Sequence, residues 1–197
     1  MLASITPLGE RGRHSRWALT VSAYVSASIA GGAMLGLVLG AAGRLLPAGS
    51  PTSRLVAFAV AAVIGLLLDA RIGGLPLPTV SRQVDENWLS RYRGWVYGGG
   101  FGFQLGLGMV TIVTTSTVYL TFLLALLSGS SAVGVVLGAV FGGVRALPVL
   151  ALRGVHQPDQ LRAAHRRLQA GAPAASRAAY LMMAASVAGA ALAALLA

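Results

Sequence analysis

The sequence contains no cysteine and no lysine. Without thiols there can be no disulfide, no thiolate metal site and no thiol relay. Acids are scarce: Glu10, Asp69, Asp85, Glu86 and Asp159 are all there are. Asp85 and Glu86 are adjacent, but no neighbouring His or metal-ligand spacing supports acid–base work. His156 and His165 lie nine apart, which is not ligand spacing on a helix. No catalytic residue, no metal and no cofactor are therefore expected, and the chain is not expected to be an enzyme. Charged residues as a whole make up 10% of the chain against 56% hydrophobic, with a mean hydropathy of +0.75, which excludes an ordinary soluble domain. The net charge of +10 is carried by 15 arginines. These stand at the ends of apolar runs, so membrane topology and lipid headgroups account for them, and no nucleic-acid partner is expected.

What the chain does have is glycine, hydroxyls and long apolar runs. The stretch Arg91–Leu127 organises the rest. It opens with two arginines and the aromatics Tyr92, Trp95 and Tyr97. It then passes through Gly98, Gly102 and Gly106 and carries Thr111, Thr114, Thr115, Ser116, Thr117 and Thr121. No charge occurs from Gly98 to Leu127. Thirty helical residues would reach about 45 Å, more than a bilayer core needs, so a span over about 96–127 is expected to bend or break near Gly106 and Gly108. On a continuous helix Gln104, Gly108, Thr111, Thr115 and Tyr119 share roughly one face. A broken helix whose freed backbone groups face protein or water is one way to build a solute path. Gln104, Thr111, Thr114, Thr115, Tyr119 and, from the next helix, Arg145 are the candidate substrate-binding residues.

Elsewhere the chain reads as further membrane helices over about 17–46, 55–70, 132–152 and 178–197. The run from Trp17 is too long for a signal-peptide core. Gly32, Gly36 and Gly40 form a double GxxxG in the first helix, with Ser22, Ser26 and Ala30 extending it upstream, and Gly134, Gly138 and Gly142 repeat the spacing in the fourth. Small residues every fourth position let backbones approach closely, which is what drives helix association in lipid. Short interfacial helices are expected at about 82–95, where Trp88, Tyr92 and Trp95 share a face, and at about 158–170, stopped by Gly171. The fold class is thus an all-α integral membrane protein, residues 1–197 forming one membrane domain of about five transmembrane helices with glycine-rich packing faces.

With the N-terminus inside and the C-terminus outside, twelve of the arginines fall on the cytoplasmic side and only Arg44 and Arg54 face out, as the positive-inside rule asks. The expected location is the cytoplasmic (inner) membrane. GRLLP after the first helix and VRALP at the end of the fourth echo one another in opposite senses, the pattern of a degenerate inverted repeat.

From Tyr97 to Leu152 the residues YGGGFGFQLGLG, the threonine-rich run, the SGSS turn and GVVLGAVFGGVRALPVL resemble the transmembrane family of cytochrome c biogenesis and thiol–disulfide interchange proteins (DsbD/CcdA-like). That family passes reducing equivalents across the membrane through paired cysteines in an inverted repeat. A cysteine-less member would keep the fold and not the chemistry, and transporter-like relatives imply movement of a small solute or ion. A transporter or permease is accordingly the first reading. The alternative is a non-catalytic subunit or assembly factor whose glycine faces dock other membrane proteins. The partners expected are the lipid bilayer and other membrane subunits or further copies of the chain.

Overall fold

The computed structural model describes residues 5–12, 14–46, 49–71, 91–108 and 115–196. Among these it is helical throughout, with seven α-helices: α1 (Pro7–Gly12), α2 (Trp17–Ala42), α3 (Pro51–Asp69), α4 (Gly94–Leu107), α5 (Thr117–Ser128), α6 (Ser131–Ala146) and α7 (Pro158–Leu196). A 3-10 turn, Gly43–Leu45, extends α2, and a longer one, Leu147–Leu152, extends α6. Pro148 explains the second: it has no N–H to give, and its ring crowds the preceding turn, so the α-helix tightens there. Four stretches are long and apolar enough to cross a membrane: Trp17–Leu45, Pro51–Asp69, Ser131–Leu152 and Pro158–Ala193. The architecture is that of an α-helical membrane protein.

At its centre α2 runs antiparallel to α6, with α4 alongside its first half. The fit is backbone on backbone. A Cβ placed on Gly36 would fall on the Gly134 carbonyl oxygen, and one on Gly134 would fall on that of Gly36; Gly32 and Gly138 block each other in the same way. Along α4, Gly98, Gly102 and Gly106 meet the carbonyls of Thr20, Tyr24 and Ser28. Each Cα–H therefore points at a carbonyl of the facing helix, adding weak Cα–H···O attraction to the dispersion of close contact. The face of α2 that carries this contact continues upstream from Gly32 through Ser28, Tyr24 and Thr20, all buried. Ser22, Ser26 and Ala30, expected to extend it, are exposed: four-residue steps back from Gly32 land on 28, 24 and 20 instead.

The break expected in the span over 96–127 is present, and one expected boundary changes. The helix over 96–127 is two helices. Gly108 adopts the left-handed conformation (φ 67°) and closes α4 by bonding its N–H to the Leu105 carbonyl (3.1 Å), a conformation that a side chain would oppose. The polar stripe that relied on one continuous helix is therefore not a single face. The separate helices over 158–170 and 178–197 are one helix of 39 residues. Gly171 does not stop it, and Pro173 sits inside it at the cost of the bond to the Gln169 carbonyl; alanines at 170, 172, 174 and 175 favour continuation. The expected interfacial helix over 82–95 lies largely outside the described residues, together with Asp85, Glu86 and Trp88; its last part, from Gly94, is already α4.

Candidate functional site

Ser28 stands where α2, α4 and α6 meet. It is fully buried, and its hydroxyl donates to the Gly142 carbonyl at 2.8 Å. Its own carbonyl lies against both Gly106 and Gly142. In lipid such an inter-helix hydrogen bond is worth about 0.6–2 kcal/mol.

At the arginine-rich end of this three-helix core, α1 folds back under the bundle. Leu8 N–H bonds the Val155 carbonyl (3.1 Å), and Ile5 joins Val21, Tyr24, Tyr97, Phe101, Ala146 and Val149 in one apolar cluster. This docking brings the Glu10 carboxyl to a fully buried position beside Gly94. The Thr20 hydroxyl donates to it at 2.9 Å and the Tyr97 hydroxyl donates to its other oxygen. A buried carboxylate is tolerable only with such donors. Gly94 is required here, since a Cβ would strike Thr20 Oγ1. None of these residues was a candidate in the sequence. The only local signal is Glu10 itself, an acid among the arginines of residues 1–16.

The second arrangement lies at the broken helix. The Asp69 carboxylate, at the end of α3, accepts from Ser116 N–H (2.8 and 3.0 Å) and from the Ser116 hydroxyl (3.0 Å). It caps the start of α5 from another helix, where a negative charge is favoured. Tyr180 of α7 donates to the Asp69 carbonyl (2.9 Å), and Met183 packs with Ala62 and Leu120. Gly108 meanwhile rests against Phe122, roughly 9 Å along α5 from Ser116. The two half-helices thus overlap in depth rather than meeting end to end.

The candidate substrate residues are dispersed by this break. Gln104 is half-buried on α4, Thr115 is half-buried ahead of α5 with its hydroxyl on that of Thr117, and Tyr119 is 38% exposed on α5. Thr111 and Thr114 lie outside the described residues. Arg145 is half-buried on α6, with its guanidinium 5.4 Å from the centre of the Phe141 ring. A cation over an aromatic face gains about 0.5–2 kcal/mol. Among the described residues no group of three or more metal-ligating side chains occurs.

Of the nine packing candidates, Gly32, Gly36, Gly98, Gly102, Gly106, Gly134, Gly138 and Gly142 meet backbone of a partner helix in the core, and Gly40 meets Ser130 just ahead of α6. At the opposite end from Glu10, Arg54 and Arg44 donate to the Leu127 and Gly129 carbonyls (3.2 and 3.4 Å) and so close α5.

No family model matches the chain, and no solved structure does. Curated relatives do. It is 35% identical to the methylamine utilization protein MauF of Paracoccus versutus over 155 residues, 75% of this chain and 56% of that protein. It is 34% identical to MauF of Methylophilus methylotrophus over 154 residues, 75% of this chain and 54% of the relative. With MauF of Paracoccus denitrificans the identity is 32% over 164 residues, 80% of this chain and 58% of the relative. The chain thus spans a little over half the length of the curated relatives it matches. These matches overturn the resemblance to the DsbD/CcdA-like proteins, which rested on the composition of residues 97–152 alone. Over most of its length, the chain is similar to methylamine utilization proteins named MauF.

Proposed function

We propose that this chain is a non-catalytic membrane subunit or assembly factor of a larger membrane complex that serves methylamine utilization. The observation that carries this reading is the contact at Ser28. A solute path along the third expected helix would need space between α2, α4 and α6, and there the backbones touch, glycine to carbonyl, with a side-chain hydrogen bond across the junction. The described residues that would line the path are spread over three helices, with Gln104 on α4, Tyr119 on α5 and Arg145 on α6. A rigid scaffold with broad apolar outer faces suits docking better than conduction. Val136, Val140 and Val144 of α6 and Val56, Val60 and Ile64 of α3 supply such faces. The relatives' name supplies the process. The same reading sets the N-terminus on the cytoplasmic side, on the strength of the arginine asymmetry.

The test is in two parts. In a strain of Paracoccus denitrificans lacking its own MauF, this chain should restore growth on methylamine and leave growth on succinate unchanged. Purified and reconstituted alone into liposomes, it should give no uptake of labelled methylammonium above protein-free vesicles. Saturable uptake by the chain alone would overturn the proposal in favour of a transporter.

A further inference from the structure

Two segments far apart in the chain, 14–16 and 91–97, converge at the arginine-rich end to form a cleft of about 630 Å³. Arg16, Arg91 and Arg93 line it together with His14. None of the three arginine side chains forms a hydrogen bond or ion pair among the described residues; the ion pair seen there is Arg162 with Asp159, far along the chain on α7. Glu10 lies beneath Gly94, fully buried, with its oxygens accepting from Thr20 and Tyr97 and forming no ion pair with these three arginines. The N-terminus of α4 opens into the same cleft, and its cap residue, Arg93, makes no side-chain cap. The cleft also has an apolar border, for Leu19 is 53% and Trp95 51% exposed beside the arginines.

We propose that this cleft binds one anionic phospholipid through its headgroup phosphate. Three guanidinium groups and a helix N-terminus suit the charge and the acceptor oxygens of a phosphate. The choice of a lipid over a free phosphate rests on the exposed Leu19 and Trp95. They give acyl chains a surface to lie on while the headgroup meets the arginines, and tryptophan favours that interfacial depth.

Native mass spectrometry of the full chain in detergent, titrated with phosphatidylglycerol, tests this. A saturable one-to-one adduct is expected, weakening as ionic strength rises, with phosphatidylcholine binding at least ten-fold more weakly. Combining Arg16→Gln, Arg91→Gln and Arg93→Gln should lower phosphatidylglycerol affinity at least ten-fold. The control combination Arg162→Gln, Arg166→Gln and Arg167→Gln, with the same loss of charge, should stay within two-fold of the parent. Because all six side chains are exposed, both variants should melt with the parent, and the single Arg91→Gln variant should show an intermediate loss. Equal losses in the two triple variants would reduce the effect to overall charge and overturn the site. Equal binding of phosphatidylcholine would do the same. If millimolar inorganic phosphate displaces the lipid and stabilises the protein as strongly, the ligand is a soluble anion, and the lipid proposal falls.

Discussion

At the residue scale the contact glycines of α2, α4 and α6 differ sharply from glycines such as Gly99 and Gly154. Gly36 and Gly134 each face a carbonyl with no room for a methyl group, whereas Gly99 has open space around its Cα. Gly36→Ala should therefore destabilise the fold by about 1–3 kcal/mol, the usual range for overpacking a close contact. Gly99→Ala should be neutral or slightly stabilising, because alanine is the better helix former by about 1 kcal/mol. Thermal melts of the two variants in one detergent check this, and equal melting temperatures would contradict the close contact. Glu10 makes a second residue-scale prediction. Tyr97→Phe removes a donor to a buried carboxylate and should cost about 1–3 kcal/mol, read as a lower midpoint in the same melts. The contact glycines were legible in the sequence because GxxxG spacing is local. Glu10 was not, since nothing within residues 1–16 reveals that Thr20 and Tyr97 will surround it. Its partners lie 10 and 87 residues away.

At the scale of elements, the break between α4 and α5 shows how far a local pattern reaches. The excess length and the glycines near 106–108 pointed to a break, and Gly108 is where α4 stops. The start of α5 was invisible, because its cap comes from Asp69, 47 residues upstream on another helix. Removing that cap by Asp69→Ala should cost about 0.5–2 kcal/mol and loosen the beginning of α5 in particular. Hydrogen exchange followed by mass spectrometry should show faster exchange from residue 116 through the first turn of α5, with α2 unchanged. The opposite case is α7. Gly171 and Pro173 are local stop signals, and here they were outweighed: the helix continues past Pro173 until Tyr180 and Met183 reach the end of α3 and Ser116.

For the whole molecule, the arginine asymmetry sets an expected orientation, and a reporter checks it. Alkaline phosphatase, active only outside the cytoplasm, should be inactive when fused after Arg153 and active when inserted at Gly129, which lies between α5 and α6. The reverse pattern would invert the chain. One consequence of the Ser28 junction belongs to the time before the protein is complete. Ser28 and the Gly142 carbonyl it bonds are 114 residues apart, which at ordinary translation rates separates their synthesis by about 6–23 s. Until α6 is made, the face of α2 that carries Gly32, Gly36 and Gly40 lacks the partner that fills it in the finished fold. Any other nascent helix with small residues at four-residue spacing can occupy that face first, including α2 of a second ribosome's product. Correct assembly is therefore a race between α6 and its imitators, and slowing elongation between Gly43 and Ser131 with rare codons should raise the yield of mispaired dimers without changing a single amino acid.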